Sequence, residues 1–221
     1  MAQMNTTTGA RRRGRPRKPV ARETFLAAAR ELFARDGFRG ARLAEIAEAA
    51  GVTKAAVVHH FGSKQGLYEQ TLEAIAGDLG ALVLEAISEP GDFLGRVDRL
   101  GDRVTHYLGN NPLSARLLVR ELVDGGQFLG AGGEGLVEAA LDAAAALIAA
   151  GIEEGVIADQ DPGQLAGTIV SLHMMWFAAM PMAKRLSGGE PLSEREIEAR
   201  AVAVRGQVRR LLGAPPASVG R

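Results

Sequence analysis

From Leu165 to Ala183 the chain is apolar almost all round when wound as an α-helix. Leu165, Ile169, Leu172, Trp176 and Met180 fall on one side; Val170, His173, Met174, Phe177 and Pro181 fall on another. A helix without a polar face must be covered on every side. The rest of the chain therefore has to wrap around it, and a second subunit or a ligand cavity must account for the remaining face. The longest nearly apolar run, Ile169 to Ala183, is too short to span a bilayer and contains Ser171 and His173, so it reads as buried core. Pro181 is expected to kink this helix or end its hydrogen-bond run.

The other segments are helical as well. Phe25, Ala28, Ala29, Leu32 and Phe33 recur at helical spacing, and Gly37 stands where a C-terminal glycine cap belongs. A short helix runs from about Leu43 to Ala50 and closes at Gly51; the next is capped by Thr53 and ends near Phe61. Ser63 can cap a long helix to about Ser88. Further helices are expected over about 92–108, 112–123, to 154, 162–186 and 194–213. Asn110-Asn111-Pro112, a glycine-rich connector from Gly125 to Gly135, Asp161-Pro162 and the loop Ser187 to Leu192 separate them. Ser193 with Glu196 has the spacing of a capping box. With no alternating β-type run, the fold class is all-α with about nine helices, an N-terminal three-helix unit joined to a C-terminal bundle that dimerises. The expected organisation is a disordered basic arm over 1–19, a helix-turn-helix domain over 20–66, a ligand-binding and dimerisation bundle over 67–213 and a flexible tail over 214–221.

Charge divides the chain in the same place. Residues 1–66 hold 13 Lys/Arg and 5 Asp/Glu, a net +8, whereas residues 67–221 hold 13 and 21, a net −8. A basic first third beside an acidic remainder points to a polyanion, and to nucleic acid before a membrane, because no basic amphipathic helix with a bulky apolar face accompanies it. The absence of cysteine excludes a disulfide scaffold, thiolate metal sites and a cysteine nucleophile. No apolar leader segment follows the N-terminus, and a soluble, cytoplasmic protein is expected. His59, His60, His106 and His173 lack metal-ligand spacing, Ser171 and His173 diverge around a helix, and Gly130 to Gly135 lacks the features of a phosphate loop. No catalytic residue, metal or cofactor is expected.

Leu43 to Phe61 has the layout of a helix-turn-helix: a short helix, a turn at Gly51-Val52, and a second helix opening at Thr53. Val57 and Phe61 are expected inward, leaving Ala55, Ala56, Val58 and His59 outward, with Lys54 and His60 at the rim. In such a unit the second helix enters the major groove. Residues 24–68, with ELFARDGF, EIAEAAGVTK and HHFGSKQGL in order, resemble the N-terminal domain of the tetracycline-repressor (TetR) family of transcription regulators. The resemblance implies a homodimer on a palindromic operator in double-stranded DNA, released when a small molecule binds the C-terminal bundle. Two departures stand out: Ala41 where the family usually has a capping Thr, and Val58 where it usually has a Tyr. The family's DNA-facing positions carry over to Thr53, Lys54, Ala55, Ala56, His59, His60 and Lys64. Lys64 and His60 are expected at phosphate, Lys54 at phosphate or a guanine edge, and Ala55, Ala56 or Val58 at thymine methyls.

Arg22 and Arg42 are further candidates for DNA. Arg15 and Arg17 lie in a run from Arg11 to Lys18 that contains Gly-Arg-Pro and resembles an AT-hook. That arm can read a narrow minor groove or only add phosphate contacts; six such contacts would steepen the salt dependence by up to roughly five units of slope. In the bundle, His106, Tyr107, Arg120, Glu121, His173, Met174, Trp176, Phe177 and Met180 are candidate pocket residues for a mostly apolar effector. Dimerisation is expected through the last two helices. The alternatives are an architectural, chromosome-organising protein without an effector, marked by dispersed binding sites, and a helical carrier or enzyme, marked by ligand binding or turnover without sequence-specific DNA affinity.

Overall fold

The computed structural model describes residues 21–126, 128 and 136–213. The described residues form ten α-helices and no strand: α1 (Arg22–Gly40), α2 (Leu43–Ala49), α3 (Lys54–Phe61), α4 (Lys64–Ser88), α5 (Phe93–Asn110), α6 (Pro112–Val123), α7 (Leu136–Glu153), α8 (Pro162–Ala178), α9 (Met180–Leu186) and α10 (Glu194–Leu211). The basic arm with Arg15 and Arg17, the run 130–135 and the tail 214–221 lie outside the described residues.

The tenth helix arises from a break in the segment expected to run to Leu186. Ala179 leaves helical geometry at φ −99° and ψ 55°, and α9 departs from α8 at 86°. Pro181 explains the break, since its ring clashes with the carbonyl of Phe177 one turn earlier and it has no N–H to donate. No single described helix is long and apolar enough to cross a membrane.

Local capping follows the sequence closely. Thr53 accepts from the Ala56 amide at 3.2 Å, Ser63 from Gly66 at 3.0 Å, Asp92 from Gly95 at 2.8 Å and Asp161 from Gln164 at 2.8 Å. The capping box at α10 forms only in part. Ser193 receives the Glu196 amide at 3.4 Å, but its own N–H goes to the Glu190 carbonyl at 2.9 Å. The tight turn at Glu190 thus takes the donor that the Glu196 side chain would have met.

At Gly37 the backbone turns to φ 72° and ψ 174°, so α1 is interrupted there and resumes for three residues. A β-carbon at that position would stand 2.8 Å from the Arg120 guanidinium carbon of α6. The expected glycine stop is therefore also a docking point for the bundle. Phe33, Phe38, Tyr68 and Phe128 close the space behind it, with ring centroids 4.8 Å apart for Phe33–Tyr68 and 4.5 Å for Phe38–Phe128. Aromatic pairs of this kind add roughly 0.5–1.5 kcal/mol each beyond area burial.

The largest core cluster joins α1 to α4 with Leu117 and Leu118 of α6. A second joins α5, α7, α8 and α10 around Phe93, Ile148, Leu165, Val204 and Leu212. Two forked ion pairs tie α5 to α10: Arg205 to Asp102 at 2.6 Å and Arg209 to Asp98 at 2.5 Å. On α8 the face through Gln164, Gly167, Thr168, Ser171 and Met175 remains exposed. The chain thus covers this apolar helix on most sides but not on all.

Candidate nucleic-acid interface and bundle cavity

Val57 and Phe61 anchor the inner side of α3. Val57 is fully buried, and Phe61 meets Phe25 of α1 edge-on at 5.5 Å. Their spacing of four residues commits the opposite side to solvent. Lys54, Ala55, Val58 and His59 are exposed and Ala56 is half-exposed, as the helical wheel requires. Val58, at 40% exposure, is a bulky apolar residue facing outward. It offers methyl contact and no hydrogen bond. The turn into α4 depends on Gly66, where a β-carbon would approach the Phe61 carbonyl oxygen to 2.3 Å. Only glycine lets α3 and α4 meet this closely.

The remaining candidates occupy different settings. The Thr53 hydroxyl accepts the cap hydrogen bond and keeps its own proton free to donate. The His60 ring packs on Phe25 at 5.1 Å, with His59 beside it at 5.5 Å. Lys64 is turned back toward α1: its Nζ donates to the Arg39 carbonyl at 3.1 Å and lies 4.9 Å from the centre of the Phe38 ring. Burial pulls its ammonium below the usual lysine value. Two of its three protons remain available to an anion. Arg42 precedes α2 with its guanidinium 3.8 Å from Glu45, and Arg22 donates to Gln70 of α4 at 2.9 Å. Ala41 is fully buried and ends α1, while the N-cap position of α2 falls to Arg42, whose side chain makes no cap hydrogen bond.

Within the bundle, α4, α5, α6, α7, α8 and α10 line a partly open cavity of about 460 Å³. Leu79, Val83, Val104, Leu147, Ile169 and Val204 typify its wall, which is apolar over most of its area. Of the candidate pocket residues, His173 and Met174 line it. The others are held elsewhere. His106 lies between the Asp102 carbonyl and Glu198, and Tyr107 donates to Asp78 at 2.9 Å. Trp176 lies under the Arg200 guanidinium at 4.6 Å, Phe177 belongs to a separate small core with Leu108 and Ala115, and Met180 opens α9. Arg120 packs on Gly37 and donates to the Arg35 carbonyl at 3.4 Å. Glu121, fully buried, accepts from the Tyr68 hydroxyl at 2.9 Å and the Phe128 amide at 2.8 Å. Burial, with that carboxylate beside it, pushes the Tyr68 phenol up.

These two acquire a role that spacing did not suggest. Arg120 and Glu121 fasten α6 to α1 and α4, next to Leu118, Leu122 and Val123, which line the cavity. The side chain of Leu118 belongs both to the cavity wall and to the core cluster containing Phe25, Phe33 and Val57.

His173 makes stability pH-dependent. Burial holds its imidazole below the usual histidine value of 6.5, against the opposing pull of the Ile169 carbonyl. The folded chain therefore keeps it neutral while the unfolded chain takes up a proton. Stability is fully present above about pH 6.5 and falls as the pH drops toward the folded value, by up to about 1.4 kcal/mol per pH unit. Denaturant titrations at about pH 7.5 and pH 5.5 should show that His173→Gln removes this part of the loss; an equal loss in both proteins contradicts it.

Comparison with known proteins gives a consistent picture. The pattern of "Bacterial regulatory proteins, tetR family" matches residues 25–71. The chain is 32% identical over 170 residues to the HTH-type transcriptional regulator RutR of Escherichia coli (strain K12), covering 77% of this chain and 76% of RutR. Among solved structures, the fatty acid degradation regulator FadR from Bacillus halodurans superposes with a TM-score of 0.70 at 17% identity, over 93% of this chain and 100% of that one. The transcriptional regulator SCO4942 from Streptomyces coelicolor gives 0.66 at 23% identity, over 88% and 99%. Likeness at these identities speaks for the fold.

Proposed function

Because the chain belongs to the TetR family of DNA-binding transcriptional regulators, we propose that it is a homodimeric repressor released from a palindromic operator when a small, mostly apolar effector fills the bundle cavity. The observation that carries this reading is Leu118, one side chain shared between the cavity wall and the core beneath α1–α4. An occupant that displaces α6 or α4 must also move the packing that orients α3. The effector needs only a higher affinity for the displaced arrangement to shift the population off DNA.

Thr53, Lys54, Ala55, Ala56 and Val58 would face base edges, with His59, His60, Lys64, Arg22 and Arg42 toward phosphate. The exposed face of α8, joined by Val202 on α10, would meet its copy in the dimer. Each subunit would then offer one α3 to successive major grooves about 34–36 Å apart or a multiple of that. Such a regulator works beside the chromosome in the cytoplasm. The test is to sequence genomic fragments captured by the full-length protein at near-physiological salt. A few fragments sharing a palindrome are expected. Enrichment spread over A·T-rich DNA without a palindrome would overturn the reading in favour of an architectural protein dominated by its arm.

A further inference from the structure

The basic run over residues 11–18, RRRGRPRK, is a sequence motif to which neither the helix-turn-helix nor the cavity gives a part. The structure fixes the point from which it extends. Ala21 enters α1 with extended geometry, at φ −63° and ψ 144°, and Ala21, Arg22, Glu23 and Thr24 are exposed. One turn on, the Phe25 ring lies 5.1 Å from His60 and 5.5 Å from Phe61, at the end of α3. The run therefore leaves the domain beside the helix proposed for the major groove.

Reach decides what it meets. Arg15 stands six residues before Ala21 and Arg13 eight, so an extended chain carries them at most about 20 Å and 27 Å away. On B-DNA the minor groove next to a given major groove lies half a helical turn off, about 17 Å along the axis. The following one lies a full turn further, at about 51 Å, beyond the reach even of Arg11. A single minor groove bordering each half-site is within range.

Composition decides how the run binds there. Five of its six basic residues are arginine, and Arg13-Gly14-Arg15-Pro16 stands at its centre. Phosphate contact alone is served by lysine as well as by arginine, and needs neither glycine nor proline. A narrow A·T minor groove concentrates negative potential and draws arginine into it. Gly14 has no side chain to hold the backbone off the groove floor. Pro16 and Pro19 disfavour helical geometry at the residues before them, Arg15 and Lys18. On α3 the outward side chains of Ala55, Ala56 and Val58 offer methyl contact only, so a second reader adds discrimination that α3 lacks.

We infer that this arm reads A·T base pairs in the minor groove bordering each half-site, with Arg13 and Arg15 in the groove and the other basic residues on phosphate. The assignment rests on the reading of α3 as the major-groove element.

The test uses the full-length protein and duplexes cut from the captured fragments. Their half-sites are kept and the bordering base pairs are made A·T, G·C or inosine·C. Inosine·C keeps the major-groove edge of G·C but lacks the guanine amino group in the minor groove. Fluorescence anisotropy at near-physiological salt should find A·T borders bound about ten- to a hundredfold more tightly than G·C, with inosine·C close to A·T. In Arg13→Lys/Arg15→Lys, which keeps every charge, that preference should shrink to about threefold or less while the salt slope stays as steep. Equal binding to A·T and G·C borders overturns the inference and leaves the arm with phosphate contacts only. So does inosine·C behaving like G·C, or a preference that survives in the double variant. Captured fragments without a palindrome overturn the operator reading instead. The same inosine and lysine substitutions, made against the A·T tracts of those fragments, then decide the arm's chemistry with the same outcomes.

Discussion

Ala55→Glu should lower affinity for the captured operator by about a hundredfold or more while leaving the melting temperature unchanged or slightly raised. Ala55 is exposed in the first turn of α3, on the side away from Val57 and Phe61. A glutamate there disturbs no packing, and an acidic side chain near a helix N-terminus is stabilising by about 0.3–1 kcal/mol. Against DNA the same charge meets phosphates and acceptor-rich base edges, and like-charge juxtaposition costs several kcal/mol. Fluorescence anisotropy with an operator duplex measures the first effect and circular dichroism melting the second. A variant that binds DNA normally would show that α3 is not the element inserted in the groove. Loss of binding together with loss of fold would show that α3 is oriented otherwise.

The second large effect concerns Gly37. Gly37→Val should destabilise the protein by about 2–4 kcal/mol, seen as a fall of roughly 5–15 °C in melting temperature. The backbone at φ 72° and ψ 174° lies in a region that essentially only glycine enters, and a β-branched residue fits it worst. A side chain there also displaces the Arg120 guanidinium that packs against it. The two contributions separate in a double-mutant cycle. Arg120→Ala relieves the contact and leaves the backbone strain, so the double variant should recover only part of the loss. Full recovery would mean that the backbone adapts and that the close approach alone matters. A normal melting temperature in Gly37→Val would refute both terms.

Different kinds of information placed these residues. Thr53, Ser63, Asp92 and Asp161 cap the helices they precede because a cap is made by a side chain and an amide three residues on. The orientation of α3 was equally legible, since helical periodicity alone sends Val57 and Phe61 to one side. The pocket was not. Polar and aromatic character singled out His106, Tyr107 and Trp176, but neighbours distant in sequence had already engaged them: Glu198, Asp78 and Arg200. Lys64 had a similar fate, with its ammonium turned to the Arg39 carbonyl by the closeness of α1 and α4.

What the sequence by itself determined is everything that depends on residues within a turn or two of one another. That covers the all-helical class, the boundaries of the helix-turn-helix, the caps, the stop at Gly37, the interruption near Pro181 and the family motif. Tertiary structure alone decided what requires several helices to converge. The cavity wall draws on six of them, and Glu121 joins Tyr68 from 53 residues away. His173 has one ring nitrogen 2.9 Å from the Ile169 carbonyl of its own helix, while the ring is buried against Gly101 of α5. Local hydrogen bonds and periodicity are written along the chain. A void exists only where side chains from distant segments fail to fill the space between them.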